Sequence, residues 1–180
     1  MITIALDLSI ASTGICIAND ADRTCTFYRL TDKAYARDMS KSPQFVKATT
    51  NGIGIADAIA KILMPYRFET INAVIESVGF GLLRSRTNSV TTLLFEGGIV
   101  AATLRRLFNA NVQFVEPTKH KKLFTGNGKA SKEQSIQMLL HWFPVLAHTT
   151  DKLDDMADAM SIMTSVIPDI RTFCPKVICI

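Results

Sequence analysis

The sequence predicts an α/β fold, a mixed five-stranded sheet flanked by helices, and three observations carry that expectation. The chain opens with three short apolar runs separated by turns. Helical and strand-like periodicities then alternate. The apolar share, 48% of 180 residues, is enough for a real core and too high for a disordered chain.

The elements follow in order. Residues 2–7 and 13–18 are short apolar runs bounded by polar residues, and Cys25 to Leu30 alternates weakly, so the start reads as an antiparallel meander. Ile55, Ile59, Ile62 and Leu63 fall at helical spacing, and Pro65 limits that helix. Ala73-Val74-Ile75 is a buried strand ending in Glu76. A long helix is expected over about 87–108, with Val90, Leu94, Gly97, Ala101 and Leu104 on one side. Val112 to Val115 is the next strand. The stretch 117–130 is basic and contains glycine, which predicts a loop. Ser131 with Gln134 three residues on forms a capping box opening a helix to about Phe143, where Pro144 stops it. Thr150 is placed to cap a last helix over 151–166. The order is β-β-β-α-β-α-β-α-α. The stretch 168–180 has no assigned element, and the whole of 1–180 is expected to be a single domain.

Lys plus Arg is 20 against 16 acids, a net charge of +4 that permits a nucleic-acid partner without demanding one. No apolar run is long enough for a membrane span. Met1 leads into Ile2-Thr3-Ile4 with no basic lead, so a cytoplasmic, reducing setting is expected. Cys16, Cys25, Cys174 and Cys179 form no CxxC or Cys/His cluster and are read as small hydrophobes rather than a zinc site.

The acids carry the chemistry. Asp7 ends the first strand and Glu76 ends a later buried one. If those strands are parallel neighbours, both acids emerge at the carboxyl edge, where α/β folds place their ligands. Each has a bland alternative, a turn Asp or a strand-end Glu. On the last helix Asp151, Asp154, Asp155 and Asp158 cluster opposite Leu153, Met156, Ala157, Met160 and Met163. Periodicity alone leaves open which of those four matter, or whether they form only a wet face. A set of carboxylates would suit two hard divalent cations about 3.5–4 Å apart, the arrangement of two-metal phosphodiester cleavage. His120, His141 and His148 lack zinc-enzyme spacing. Beside the acids, Lys119, His120, Lys121, Lys122, Lys129 and Lys132 surround Thr125-Gly126-Asn127-Gly128, a composition suited to phosphate contact, or else a solvated loop. Arg84 and Arg86 supply a second basic site.

Four segments in order then resemble a known family. Asp7-Leu8-Ser9-Ile10-Ala11-Ser12-Thr13-Gly14 resembles the opening of RuvC-type Holliday junction resolvases. Ala73-Val74-Ile75-Glu76 resembles their second acid strand. Pro117 through Lys132 resembles their basic loop, and Asp155-Met156-Ala157-Asp158-Ala159 their DxxDA helix. The resemblance implies a ribonuclease H-like fold, a homodimer, and two Mg²⁺ or Mn²⁺ ions at Asp7, Glu76, Asp155 and Asp158, thereby selecting two of the four helix acids. It implies paired nicks in four-way DNA, with Lys121 and Lys132 as the loop lysines that approach the strand. Phe80 would be the junction-stacking aromatic, one position later than the family places it. Leu8-Ser9 departs from the Gly or Pro that the family often has there. The dimer is expected to use the helix around Leu93 to Leu104, whose Gly97-Gly98 and Ala101-Ala102 pairs permit close approach. Other readings are a ribonuclease H-fold nuclease with a different substrate, namely loosely branched DNA, transposon ends or RNA–DNA hybrid, or a module that holds junctions without cutting. A sugar kinase or actin-like ATPase would need two such domains.

Overall fold

The computed structural model describes residues 1–9, 12–31, 44–77, 87–149 and 152–179. Strands β1 (Ile2–Asp7), β2 (Ser12–Asn19) and β3 (Thr24–Thr31) form the antiparallel meander. Helix α1 (Gln44–Leu63) leads to β4 (Ile71–Glu76), and α2 (Thr87–Phe108) leads to β5 (Asn111–Val115). Both β4 and β5 run parallel to their neighbours. Then come α3 (Pro117–Thr125), α4 (Lys132–Trp142), α5 (Leu153–Met163) and β6 (Cys174–Cys179).

The sheet is mixed and flanked by helices, but it has six strands rather than five, in the order β5-β4-β1-β2-β3-β6. The addition is β6, from the unassigned tail, which pairs parallel with β3. It holds the edge, where a proline is tolerated. Cys174 N donates to the Arg23 carbonyl at 2.8 Å, so alternation turns the nitrogen of Pro175 outward, where no ladder bond is lost. The turn before β3 clamps this tail. Arg23, in the left-handed region at φ 52°, pairs with Asp169 at 3.2 Å and lies 4.3 Å over the Phe173 ring.

Two further corrections concern helices. The stretch 117–130 does not form a loop throughout, because Pro117 takes a first-turn position and Gly126, at φ 80°, caps the end of α3. The last helix is shorter than 151–166. It begins at Leu153 behind Lys152, which gives no side-chain cap, and Thr150 and Asp151 lie outside the described residues. The capping box of Ser131 and Gln134 forms as the sequence reads.

Strand alternation sends two sets of side chains to two layers. Ile2, Ile4, Leu6, Ile15, Ile17, Ala73 and Ile75 face α1 and α2 through Ile55, Ile59, Leu63, Val100 and Leu104. Ala5, Cys16, Ala18, Cys25, Phe27 and Val74 face α3, α4 and α5 through Phe124, Leu139, Met156, Ala157, Met160 and Met163. Burying each large aliphatic side chain stabilises the fold by roughly 1.5–3 kcal/mol. The apolar stripe read on the last helix is therefore real: Met156, Ala157, Met160 and Met163 are all buried.

Candidate active site

The site starts from strand parity. Asp7 shares a face with Ala5, and Glu76 shares one with Val74, so both acids point to the layer that holds α5. Leu6 pairs with Ile75 in the parallel ladder, which places Asp7 beside Glu76 one step further on. Asp7 pairs with Gly14, and Gly14 with Arg29. One row across four strands therefore reads Glu76, Asp7, Gly14, Arg29.

The gap at Gly14 is what α5 fills. A Cβ at that position would stand 2.4 Å from the Asp155 carbonyl oxygen, so only a glycine admits the start of the helix here. Asp155 then reaches across the row. Its Oδ2 accepts from Arg29 Nε at 2.7 Å and from Ser12 Oγ at 2.9 Å. Asp158 lies one turn further along α5. Asp154 and Asp155 occupy the first turn, where carboxylates complement the helix dipole.

The charges of these acids act on one another. Asp7 titrates well above the usual carboxylate range, first because it is buried, then because Glu76, Asp158 and Asp155 add negative charge around it. Asp158 is raised as well, again chiefly by burial, with Glu76 adding to the rise and Lys121 and Lys132 opposing it. Lys132 hydrogen-bonds Asp154 Oδ2 at 3.2 Å, and that contact lifts its ammonium above its ordinary value.

The donor set is all oxygen and its charge is incompletely neutralised, a combination that fits a hard divalent cation. Among the described residues no three candidate ligands close into a ready cage. Arg29 and Ser12 occupy one oxygen of Asp155, and His120 Nε2 lies 2.8 Å from Glu76 Oε1.

The remaining expected site residues divide three ways. Lys121 and Lys132 stand close enough to the acids to act on their charge. Lys119, Lys122 and Lys129 are exposed on the same helix and the turn after it. Phe80, Arg84 and Arg86 lie outside the described residues. His120 is no surface charge. It is fully buried, because α3 turns His120 and Phe124 inward at i, i+4. Sequence reasoning passed over Arg29, Ser12 and Ser161. For Arg29 a signal existed: it follows Cys25 and Phe27 on the inward positions of β3, where a core residue would be expected.

The proposed dimer helix needs a correction of face. Gly97 is buried, and a Cβ there would contact Phe114 and Leu8 of its own fold. Gly98 faces open space, and Ala102 and Leu94 are exposed beside it at helical spacing.

Known proteins share this architecture. The chain is 37% identical over 78 residues to the crossover junction endodeoxyribonuclease RuvC of Rickettsia typhi, a match spanning 42% of this chain and 48% of that one. The chain thus spans about half the length of the curated relative it matches. The Thermus thermophilus RuvC structure superposes with a TM-score of 0.61 at 15% identity, covering 97% of this chain and 99% of that one. The same protein in complex with a Holliday junction substrate gives 0.60 at 14% identity, covering 90% and 89%. The fold is therefore the ribonuclease H-like fold of RuvC. Within it, the match over residues 2–167 takes in all four acids and the basic helix between them, and it makes this chain a member of the family described as Lactococcus phage M3 protein.

Proposed function

We propose that the chain is a metal-dependent endonuclease that resolves four-way DNA junctions by paired nicks. The observation that carries this is the row Glu76–Asp7–Gly14, over which α5 brings Asp155 and Asp158 with Lys121 and Lys132 alongside. The names of the RuvC relatives, one of them bound to a Holliday junction, point to the same substrate.

In this reading Asp7, Glu76, Asp155 and Asp158 hold two ions, Mg²⁺ or Mn²⁺. Bound there, such ions would supply Lewis-acid activation of water and offset negative charge at the phosphate. The protein supplies the rest. The sheet edge fixes Asp7 and Glu76, Gly14 sets the depth of α5, and Lys121 and Lys132 draw the phosphate backbone toward the acids. Lys119, Lys122, Lys129, Arg84 and Arg86 extend that contact, and Phe80 stacks at the junction. The whole chain, 1–180, works as one nuclease domain in the cytoplasm. Among the described residues no helix is long and apolar enough to cross a membrane. Opposed nicks need two active sites, so the enzyme acts as a homodimer through the Leu94–Gly98–Ala102 face.

A labelled junction tests this. With Mg²⁺ the wild type should nick two opposed strands symmetrically, and without it nothing. Asp7→Asn should stop cleavage and leave junction binding intact, because it removes a ligand and no DNA contact. A folded Asp7→Asn protein that no longer binds junctions, or one that still cuts, would refute the reading.

A further inference from the structure

His120 has both ring nitrogens engaged although no solvent reaches it. Nε2 lies 2.8 Å from Glu76 Oε1, and Nδ1 lies 2.7 Å from Ser161 Oγ. An ionised carboxylate can only accept, so Nε2 carries the proton and donates to Glu76. In the neutral ring Nδ1 then accepts from the Ser161 hydroxyl. That hydroxyl is available for the purpose, because Thr164 Oγ1 is spent on the Ser161 carbonyl at 2.6 Å and makes no claim on Oγ. The chain runs Ser161 Oγ–H to Nδ1, then Nε2–H to Glu76.

Three elements meet in this chain. Glu76 ends β4, His120 lies one turn into α3, and Ser161 is three residues beyond Asp158 on α5. The ring therefore spans two elements that each carry candidate metal ligands. It bridges them through Oε1 of Glu76 and Oγ of Ser161. A histidine needed only to fill space would be served by one hydrogen bond to backbone. Here both nitrogens reach side chains, and one of those is an acid of the site.

We propose that His120, fixed in its tautomer by Ser161, is a positioning residue that orients Glu76 toward a divalent cation. The inference rests on the metal-dependent reading above and assigns a role beyond it. Outer partners of this kind typically change metal affinity by about 10–100-fold when removed.

The test uses the full chain and Mn²⁺ as the probe, followed by calorimetry without DNA. His120→Phe keeps the ring and loses both nitrogens. It should weaken Mn²⁺ binding by about 10–100-fold, and the Mg²⁺ concentration giving half-maximal nicking should rise by the same factor. Metal-free junction binding should not change. Ser161→Ala should weaken Mn²⁺ in the same direction by about tenfold or less, and His120→Gln, which retains an N–H donor, should recover part of the loss. Nitrogen NMR of the wild type should show a protonated Nε2 and a bare Nδ1, a readout independent of activity. If His120→Phe fails to fold, Ser161→Ala and the NMR carry the test. Wild-type Mn²⁺ affinity in these variants, or a proton on Nδ1, overturns the proposal. A wild type that binds Mn²⁺ and loses it in the variants, yet never cuts a junction, leaves the brace standing and refutes the nuclease reading instead. A wild type that binds no Mn²⁺ refutes both.

Discussion

Glu96 sits on the buried side of α2 with no solvent access, and neither carboxylate oxygen meets a hydrogen-bond partner among the described residues. It lies where α2 crosses α1, its Cα only 3.2 Å from where a Cβ on Gly52 would stand. Burial alone pushes its carboxyl from 4.5 up to about 7. The sign follows. A raised folded value means that the protonated acid is compatible with folding and the ionised one is not. Its stability contribution is complete below the unfolded value of 4.5 and is lost as pH rises through about 7. At about 1.4 kcal/mol per pH unit the loss amounts to about 3 kcal/mol. Glu96→Gln cannot ionise and should lack that slope. A buried amide has its own unmet need for partners, worth about 1–3 kcal/mol, but that cost does not vary with pH. The measurement is therefore a difference: urea unfolding of both proteins at about pH 4 and about pH 8, where the gap between them should move by about 3 kcal/mol in favour of the variant. In thermal melts this corresponds to about 6–12 °C. A gap that stays constant with pH would show that the carboxylate finds a partner in solution, and the reasoning would fail.

Gly14→Ala should push the start of α5 off the sheet, costing about 1–3 kcal/mol of stability and most of the nicking activity; an active, equally stable variant would contradict the 2.4 Å approach to Asp155. Lys121→Ala and Lys132→Ala should each lower the salt dependence of junction binding by about one unit, and unchanged slopes in both would leave this a plain solvated segment. Gly98→Leu with Ala102→Leu should turn a dimer into monomers by light scattering, and an intact dimer would move the interface elsewhere.

The parts of this molecule legible in its sequence are those set by near neighbours. Apolar runs with short turns specify the β1–β3 meander, and the two strand-end acids locate the carboxyl edge because the pleat and the parallel register leave little freedom. Ser131 and Gln134 announce their helix through a purely local exchange of hydrogen bonds. What stayed hidden depends on distant chain segments. In α3 most of the nine residues are polar, and its apolar stripe is only Phe124 with a histidine, so composition outweighed Pro117 and Gly126. His120 reads as one more basic residue until Ser161 and Glu76 are brought to it. Strand β6 is six residues with a proline, and it becomes a strand only because β3 offers an open edge. Arg29 belongs to the site through a register that no single strand states.

The direction of β6 has a practical consequence. It runs parallel to β3, which is antiparallel to β2, which is antiparallel to β1, so β6 and β1 point the same way. Cys179, at its end, pairs with Arg29, the residue that holds Asp155. Anything joined after Cys179 leaves the sheet at the edge where Arg29 meets Asp155. Anything joined ahead of Ile2 leaves from the opposite edge. A purification handle or fluorescent reporter therefore belongs at the amino terminus, away from the edge where Arg29 holds Asp155.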